Sequence, residues 1–174
     1  NSDTTLTAQT EVKDLYINYG TLNLNENTLI VHGNVVIQNR GCLNFNKGEL
    51  ICNDFTMTGT YYSRYMYMRN ANDHLVVEGN FNFNGGSFSG DDATAGIIEL
   101  RGNVNIITGF NPSREQKVVL NGLDSQEVYI NEKNCSFNIL EVSNTSEGGI
   151  LSDYPISANS MIGDLSQIHY SFGG

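Results

Sequence analysis

Tryptophan is absent from the 174-residue sequence, and proline and cysteine are scarce, with two and three residues. Charged residues make up only 16%, whereas a soluble domain usually has about a quarter. Nine Lys and Arg face 19 Asp and Glu, and the formal charge of −10 repels phosphate backbones and anionic lipid surfaces. No apolar run is long enough for a membrane-spanning helix. We therefore expect no nucleic-acid partner and no membrane insertion.

The cysteines form no C-x-x-C pair and leave an odd count, so neither a zinc site nor a disulfide framework is predicted. The chain begins at Asn1 and shows no segment with the pattern of a signal peptide. We expect an excised piece of a larger protein. Its 39% hydrophobic residues suffice for the core of one folded unit.

An internal repeat of about twenty residues is what the sequence does contain. The segment from Leu15 reads LYINYGTLNLNENTLIVHGN, and the segment from Val35 reads VVIQNRGCLNFNKGELICND. Each has three short units with apolar residues at i and i+2, as in Leu15 with Ile17 and Val35 with Ile37. This alternation directs the apolar side chains of a strand to one face.

Stacking of equivalent strands is the arrangement that explains such a repeat. A hairpin meander does not require every third strand to resemble its counterpart one repeat earlier, whereas a coil with strands stacked about 4.8 Å apart does. The sequence predicts an all-β, single-domain, right-handed parallel β-solenoid of about six to seven rungs of 20–26 residues. The expected stacks are Leu15 with Val35 and Phe55, Leu22 with Leu43 and Met66, and Leu29 with Leu50 and Leu75.

Three regions follow from the same alignment. Residues 1–14 are assigned to an N-terminal lead-in or cap, 15–144 to the rungs, and 145–174 to a final irregular rung or C-terminal cap. Two rows of stacked asparagines are also expected, namely Asn23 with Asn44 and Asn82, and Asn25 with Asn46 and Asn84. Such amides either satisfy one another as a structural ladder or form a polar face for sugar hydroxyls.

Six runs of the sequence resemble a known kind of repeat. They are GTLNLNENTLIVHGN, CLNFNKGELICND, NDHLVVEGNF, AGIIELRGNV, QKVVLNGLDSQEVYI and FNILEVSNTSEGGI. They are similar to a repeat module of large secreted or wall-associated proteins of Clostridium-like bacteria, over about residues 14–151. The resemblance implies an extracellular β-solenoid inside a multidomain protein, beside polysaccharide-acting or adhesive domains. It supplies no catalytic residues.

Acid and base groups for catalysis are few. Many parallel β-helices cleave acidic polysaccharides with clustered Asp beside Arg or Lys. Asp91 and Asp92 lie in the polar insertion SFSGDDATAG without a basic neighbour in sequence, and Arg101 and Arg114 belong to different rungs. We therefore predict a solvated loop at Asp91 and Asp92, and no catalytic residue.

Metal-ligand spacing is absent from the three isolated histidines, His32, His74 and His169. We predict no metal-binding residue set and no cofactor. Calcium stays open as an alternative, because carboxylates and loop carbonyls suffice to bind it, although no EF-hand or GGxGxD run occurs. The candidate calcium ligands are Asp54, Asp73, Asp91 and Asp92.

The densest aromatic cluster is the run YYSRYMYM over 61–68. If Met66 and Met68 point inward, strand alternation directs their tyrosine neighbours outward. Flat rings with hydroxyls and a guanidinium suit the faces and hydroxyl edges of a sugar. A structural alternative is that the rings shield the edges of a longer rung. The predicted carbohydrate-binding residues are Tyr61, Tyr62, Arg64, Tyr65 and Tyr67.

These observations favour a noncatalytic binding or adhesion module of a larger bacterial surface or secreted protein. The expected partners are a polysaccharide or the glycan of a glycoprotein, together with neighbouring domains of the same polypeptide. The expected location is extracellular, secreted or cell-wall associated. The alternatives are a polysaccharide lyase or hydrolase of the β-helix type and a purely structural spacer.

Overall fold

The computed structural model describes residues 3–59, 65–131 and 133–171 and contains sixteen β-strands and two 3₁₀ segments in these ranges. The strands are β1 (Thr4–Thr5), β2 (Thr10–Val12), β3 (Leu15–Asn23), β4 (Thr28–Asn44), β5 (Glu49–Gly59), β6 (Met66–Tyr67), β7 (His74–Val77), β8 (Phe81–Ser89), β9 (Ile97–Leu100), β10 (Val104–Asn111), β11 (Lys117–Leu120), β12 (Gln126–Ile130), β13 (Phe137–Val142), β14 (Ile150–Ser152), β15 (Ala158–Gly163) and β16 (Ile168–Tyr170). The 3₁₀ segments are Gly90–Asp92 and Leu165–Gln167. No helix in these ranges is long and apolar enough to cross a membrane.

All paired strands in the described ranges run parallel, and each pairs with its equivalent in the turn before or after. The first face consists of the strand segments that begin at Leu15, Val35 and Phe55, together with β8, β10, β12, β14 and β16. The third face consists of β2, the starts of β4 and β5, and β7, β9, β11, β13 and β15. The second face lies between them along the chain and includes β1, the ends of β3 and β4, and β6. The predicted parallel β-solenoid is confirmed.

The three predicted stacks are also confirmed, residue by residue. Strand pairing aligns Leu15 with Val35 and Phe55, Leu22 with Leu43 and Met66, and Leu29 with Leu50 and Leu75. Side chains at these positions point into the core, and the residues between them in each strand point outward. Cys52 is buried and Cys42 is half-buried, and all three cysteines are free thiols.

The coil has about eight turns, slightly more than the six to seven expected. The additional pairing lies at both ends, where β1 and β2 precede the first recognised repeat and β14 to β16 follow the last. These end strands lack a clean apolar alternation, and most of their residues are exposed or half-buried. The apolar pattern of the sequence therefore does not reveal that these strands pair with the neighbouring turns.

A cluster of buried phenylalanine rings fills part of the core. The ring centroids of Phe55 and Phe81 lie 5.3 Å apart and the rings are stacked, whereas Phe83 and Phe110 meet edge-on at 5.3 Å. Phe88, in the segment that the sequence suggested was a loop, is fully buried 5.0 Å from the ring of Phe110. That part of the insertion therefore belongs to the core, and β8 continues through it.

One corner explains why Gly-Asn recurs along the sequence. The Asp54 carboxylate accepts hydrogen bonds from the backbone N–H of Asn80, at 2.6 Å, and from its side-chain amide, at 3.2 Å. A Cβ on Gly79 would lie 2.5 Å from the same carboxylate oxygen, so only glycine fits beside it. Asp14 holds Gly33 and Asn34 in the same way. The dipeptide thus locks successive turns together.

Candidate functional site

The aromatic cluster predicted to bind carbohydrate is described only in part. Tyr61, Tyr62 and Arg64 lie outside the described residues. Tyr65 and Tyr67 are half-buried and flank the buried Met66, so their outward orientation is confirmed.

The rings of Tyr65 and Tyr67 stack on each other, with centroids 5.6 Å apart and planes inclined by 10°. The guanidinium of Arg69 lies over the Tyr67 ring, 4.5 Å from its centroid. Burial raises the pKa of Tyr67 to about 12. The Tyr67 ring thus packs against two protein groups, the ring of Tyr65 and the guanidinium of Arg69, and sugar contact at this pair stays a prediction.

The sequence suggested that Asp91 and Asp92 lack basic neighbours, but in the structure each carboxylate is paired with an arginine. The Asp91 carboxylate lies 2.9 Å from the guanidinium of Arg114, and Asp92 is paired with Arg69. These partners come from neighbouring turns, at separations of 23 residues, so sequence proximity could not reveal them. Asp91 is largely exposed, and each carboxylate has its own cation.

Asp73, another candidate calcium ligand, is used in hydrogen bonds to the backbone. Asp73 is buried and accepts hydrogen bonds from the backbone N–H groups of Lys47, Arg69 and Asn70, at 2.6, 2.6 and 2.9 Å. Donors of this kind occupy the oxygens that a cation would need. Within the described ranges, no group of three or more His, Cys, Asp or Glu side chains is arranged to hold a metal ion.

His74, which appears isolated in the sequence, lies between two carboxylates on the outer surface of the third face. Its Nδ1 is 2.9 Å from Glu49 and its Nε2 is 3.1 Å from Glu99. The three side chains belong to three consecutive turns. They form a ladder of charge-assisted contacts along the coil.

The asparagine rows differ from the prediction in one respect. On the second face, the amide of Asn44 donates to Asn23 at 2.8 Å, and that of Asn46 donates to Asn25 at 3.2 Å. Asn82 does not join this ladder, because it lies on the first face, where it is aligned with Thr56 and Asn105. Asn84 likewise pairs with Thr58 on the first face. The row was predicted from the shared N-x-N spacing, although Asn82 and Asn84 follow the first strand position of their turn and Asn23 and Asn44 lie in the second strand of theirs.

A groove of about 460 Å³ lies on the outer surface of the first face. It crosses five consecutive strands, from β8 to β16, which corresponds to about 19 Å along the coil. These strands and the corners beside them contribute the polar residues that line it, which are Asn80, Asn82, Asn103, Asn105, Glu127, Tyr129, Ser152, Asp153 and Ser171. None of the described lining residues is Lys, Arg or His.

Several polar groups in this groove have no partner among the described residues. The side-chain amides of Asn82 and Asn105, on adjacent turns, make no hydrogen bond to any described residue. The Glu127 carboxylate likewise has neither a hydrogen bond nor an ion pair within the described ranges, whereas Asp153 accepts one hydrogen bond, from Ser171. Asn23 and Asn44 on the second face differ from Asn82 and Asn105, because the side-chain amide of Asn44 donates a hydrogen bond to the side-chain amide of Asn23.

A tyrosine ring lines the groove at β12, the middle one of its five strands. Tyr129 extends outward from β12 and is 38% exposed, and the ring of Tyr154 meets it edge-on with a centroid distance of 5.8 Å. The Tyr129 ring lies beside the row of amides and carboxylates, because Asn105 and Tyr129 are aligned in neighbouring strands.

The sequence contained a signal for this groove. Asn82 and Asn105 each lie between two buried residues in the runs FNF and VNI, and Tyr129 occupies the same position in VYI. The repeat places these runs at the start of consecutive rungs, and their three middle residues therefore share one outward row, which was not predicted to form a site. Comparison with protein-family models, with curated proteins and with solved structures gives no match for this chain.

Proposed function

We propose that this β-solenoid is a noncatalytic glycan-binding module and that the groove on the first face is its binding site. The observation that carries the proposal is the adjacent pair of unpartnered amides, Asn82 and Asn105, beside the exposed ring of Tyr129. A folded protein usually satisfies its amides with its own groups or with water, and a ligand with hydroxyl groups can replace that water.

Sugar chemistry matches each of these groups. An amide presents a donor and an acceptor side by side, which suits two neighbouring hydroxyls, and a carboxylate such as Glu127 accepts from another. The apolar CH face of a sugar ring packs on an aromatic ring, as Tyr129 could provide. The groove's extent of about 19 Å suits several linked sugars rather than one.

Binding is favoured over catalysis by the composition of the groove. A lyase that acts on acidic polysaccharide needs a cation to neutralise the uronate and a base to take the proton, and no described lining residue is basic. Glu127 and Asp153 leave a hydrolase as the alternative, because hydrolases use two carboxylates. A structural spacer, the third candidate, gives no reason for unpartnered amides in a groove.

We further propose an extracellular location, within a secreted or wall-associated protein that carries other domains. The composition supports this, since charged residues make up only 16% of the sequence. Polysaccharides and the glycans of surface proteins are the partners that such a module would meet there.

The experiment is a pull-down of the purified chain with insoluble polysaccharides, followed by titration with the soluble oligomers of whichever polymer retains it. We expect Tyr129→Ala to weaken binding by about tenfold, as loss of one aromatic contact does. Asn105→Ala, which removes an unpartnered amide, should weaken binding without lowering the melting temperature. The same incubations are analysed for new reducing ends. If reducing ends are released, the module hydrolyses the polysaccharide, and the proposal of a noncatalytic function is wrong.

Two matched variants locate the site. Tyr19→Ala removes a tyrosine that is 53% exposed and lies outside the groove, and it should bind like the parent. The double variant Tyr65→Ala, Tyr67→Ala tests the second-face pair. If that double variant loses binding while Tyr129→Ala retains it, the site lies on the second face. If no polysaccharide or glycoprotein glycan retains the parent chain, the proposed function is wrong.

A further inference from the structure

Charge is distributed unevenly between the groove and the other surfaces of the coil. Several carboxylates outside the groove have cationic partners from neighbouring turns, as in Glu26 with Lys47 at 2.7 Å, Glu78 with Arg101 at 2.6 Å and Glu141 with Lys117 at 2.7 Å. Within the groove, neither Glu127 nor Asp153 has an ion pair among the described residues.

The whole first face repeats this asymmetry. The outward row that contains Asn82 and Asn105 has no charged residue from its first turn to its sixth, and it consists of Tyr16, Val36, Thr56, Asn82, Asn105 and Tyr129. The neighbouring outward row, two residues earlier along each strand, carries charges of only one sign in these six turns, at Asp14, Asp54 and Glu127. Within the groove, the charged side chains among the described lining residues are therefore all negative.

We infer that the groove selects a polysaccharide of hexosamines with free amino groups. This inference rests on the proposed function and names the ligand class of the same site. The amides of Asn82 and Asn105 would hold ring hydroxyls, while Glu127 and Asp153 would attract the ammonium groups. Uronates, sulfated sugars and phosphate-bearing polymers would be repelled, because the groove offers them carboxylates and the molecule as a whole carries a charge of −10.

A lysine-rich peptide carries the same ammonium group, but the groove favours the sugar. Peptide recognition at a sheet usually relies on an open strand edge or an apolar pocket. Here the lining strands β8, β10 and β12 are each paired on both sides. Their outward groups are amides and a ring, which suit a string of hydroxylated rings.

The test compares the affinity of the full chain for four oligomers of equal length by calorimetry. These are oligomers of glucosamine, N-acetylglucosamine, glucose and galacturonate. Each of the two exposed carboxylates should form a weakly favourable ion pair with an ammonium group of the sugar. Together these ion pairs should make the glucosamine oligomer bind about fivefold more tightly than the N-acetylglucosamine and glucose oligomers. Added salt should narrow that difference, and galacturonate should bind most weakly.

The double variant Glu127→Gln, Asp153→Asn should lose the preference and bind all three uncharged or cationic oligomers alike, with an unchanged melting temperature. Equal affinity of the parent chain for glucosamine, its acetylated form and glucose overturns this inference and leaves the proposed function intact. Failure of every saccharide to bind overturns both. Oligolysine that binds as tightly as the glucosamine oligomer overturns the assignment to a sugar.

Discussion

Leu43 shows how each inward residue depends on the turns before and after it. It lies between Leu22 in the preceding turn and Met66 in the following one, and its side chain is fully buried. The whole column has to be filled, because apolar side chains in a protein interior pack as densely as in organic crystals.

Truncation of Leu43 to alanine should therefore open a cavity that the stacked strands cannot close. We expect Leu43→Ala to lower the free energy of unfolding by about 2 to 5 kcal/mol, as measured by urea denaturation. Leu123→Ala is the matched control, since that leucine is 82% exposed and its truncation should change stability by less than about 0.5 kcal/mol. Equal effects of the two changes would contradict the assignment of Leu43 to the core.

Cysteine chemistry is also decided by the position of each side chain in the coil. Cys52 occupies an inward slot between Val31 and Val77, and burial raises the pKa of its thiol to about 12. Burial likewise raises the pKa of Cys135. These thiols stay protonated at neutral pH and are poor nucleophiles, so they serve as small apolar side chains.

Along the third face, the outward side chains link one strand to the next by charge. The ladder of Glu49, His74 and Glu99 joins β5, β7 and β9, and the pair of Lys117 and Glu141 joins β11 and β13. In each case the partners come from different turns, so the contacts oppose separation of the strands. The strength of these hydrogen bonds depends on the negative charge of the carboxylates.

Acid should release the pair of Lys117 and Glu141. The hydrogen bond from Lys117 holds the pKa of Glu141 below its ordinary value, so the unfolded chain takes up a proton first as the pH falls. The stabilisation is complete above the pKa of the unfolded state, about 4.3, and is lost as the pH falls through the lower pKa of the folded state. A double-mutant cycle with Lys117→Met and Glu141→Gln should give a coupling of about 0.5 kcal/mol at pH 7.

The same cycle at low pH supplies the control. Unfolding midpoints of the four proteins should show the coupling at pH 7 and none once Glu141 is protonated. A coupling that persisted in acid would mean that the two side chains interact by packing of their methylene groups rather than by charge.

Element boundaries show which parts of the architecture a sequence can reveal. Alternating apolar pairs such as Val35 with Ile37 predicted the faces correctly, because an inward slot tolerates little besides apolar side chains. Phe88 was assigned to a loop, since glycines and aspartates surround it and no i+2 partner marks its strand. Asn82 was placed on the wrong face because its spacing from Asn84 matches that of Asn23 from Asn25, although the two pairs lie in different strands of their turns.

For the molecule as a whole, the fold was more predictable than the site. Burial imposes a repeated pattern on Leu15, Val35 and Phe55, whereas the groove joins residues such as Asn82 and Asp153, which are far apart in sequence and share no motif. Its distinguishing property is that side chains lack partners, and a sequence does not record which amides are left unpaired.

Pairing of each strand only with its neighbours in the coil makes the molecule nearly one-dimensional. Turns at the centre, around Phe81 and Phe110, are supported on both sides, whereas β1 and β16 each have one paired neighbour among the described strands. Opening should therefore begin at the ends and travel inward, as in other linear repeat arrays. Amide hydrogen exchange followed by mass spectrometry should give protection factors that are highest in β8 and β10 and decline toward both termini. Uniform protection along the chain would instead mean that the coil opens as a single cooperative unit.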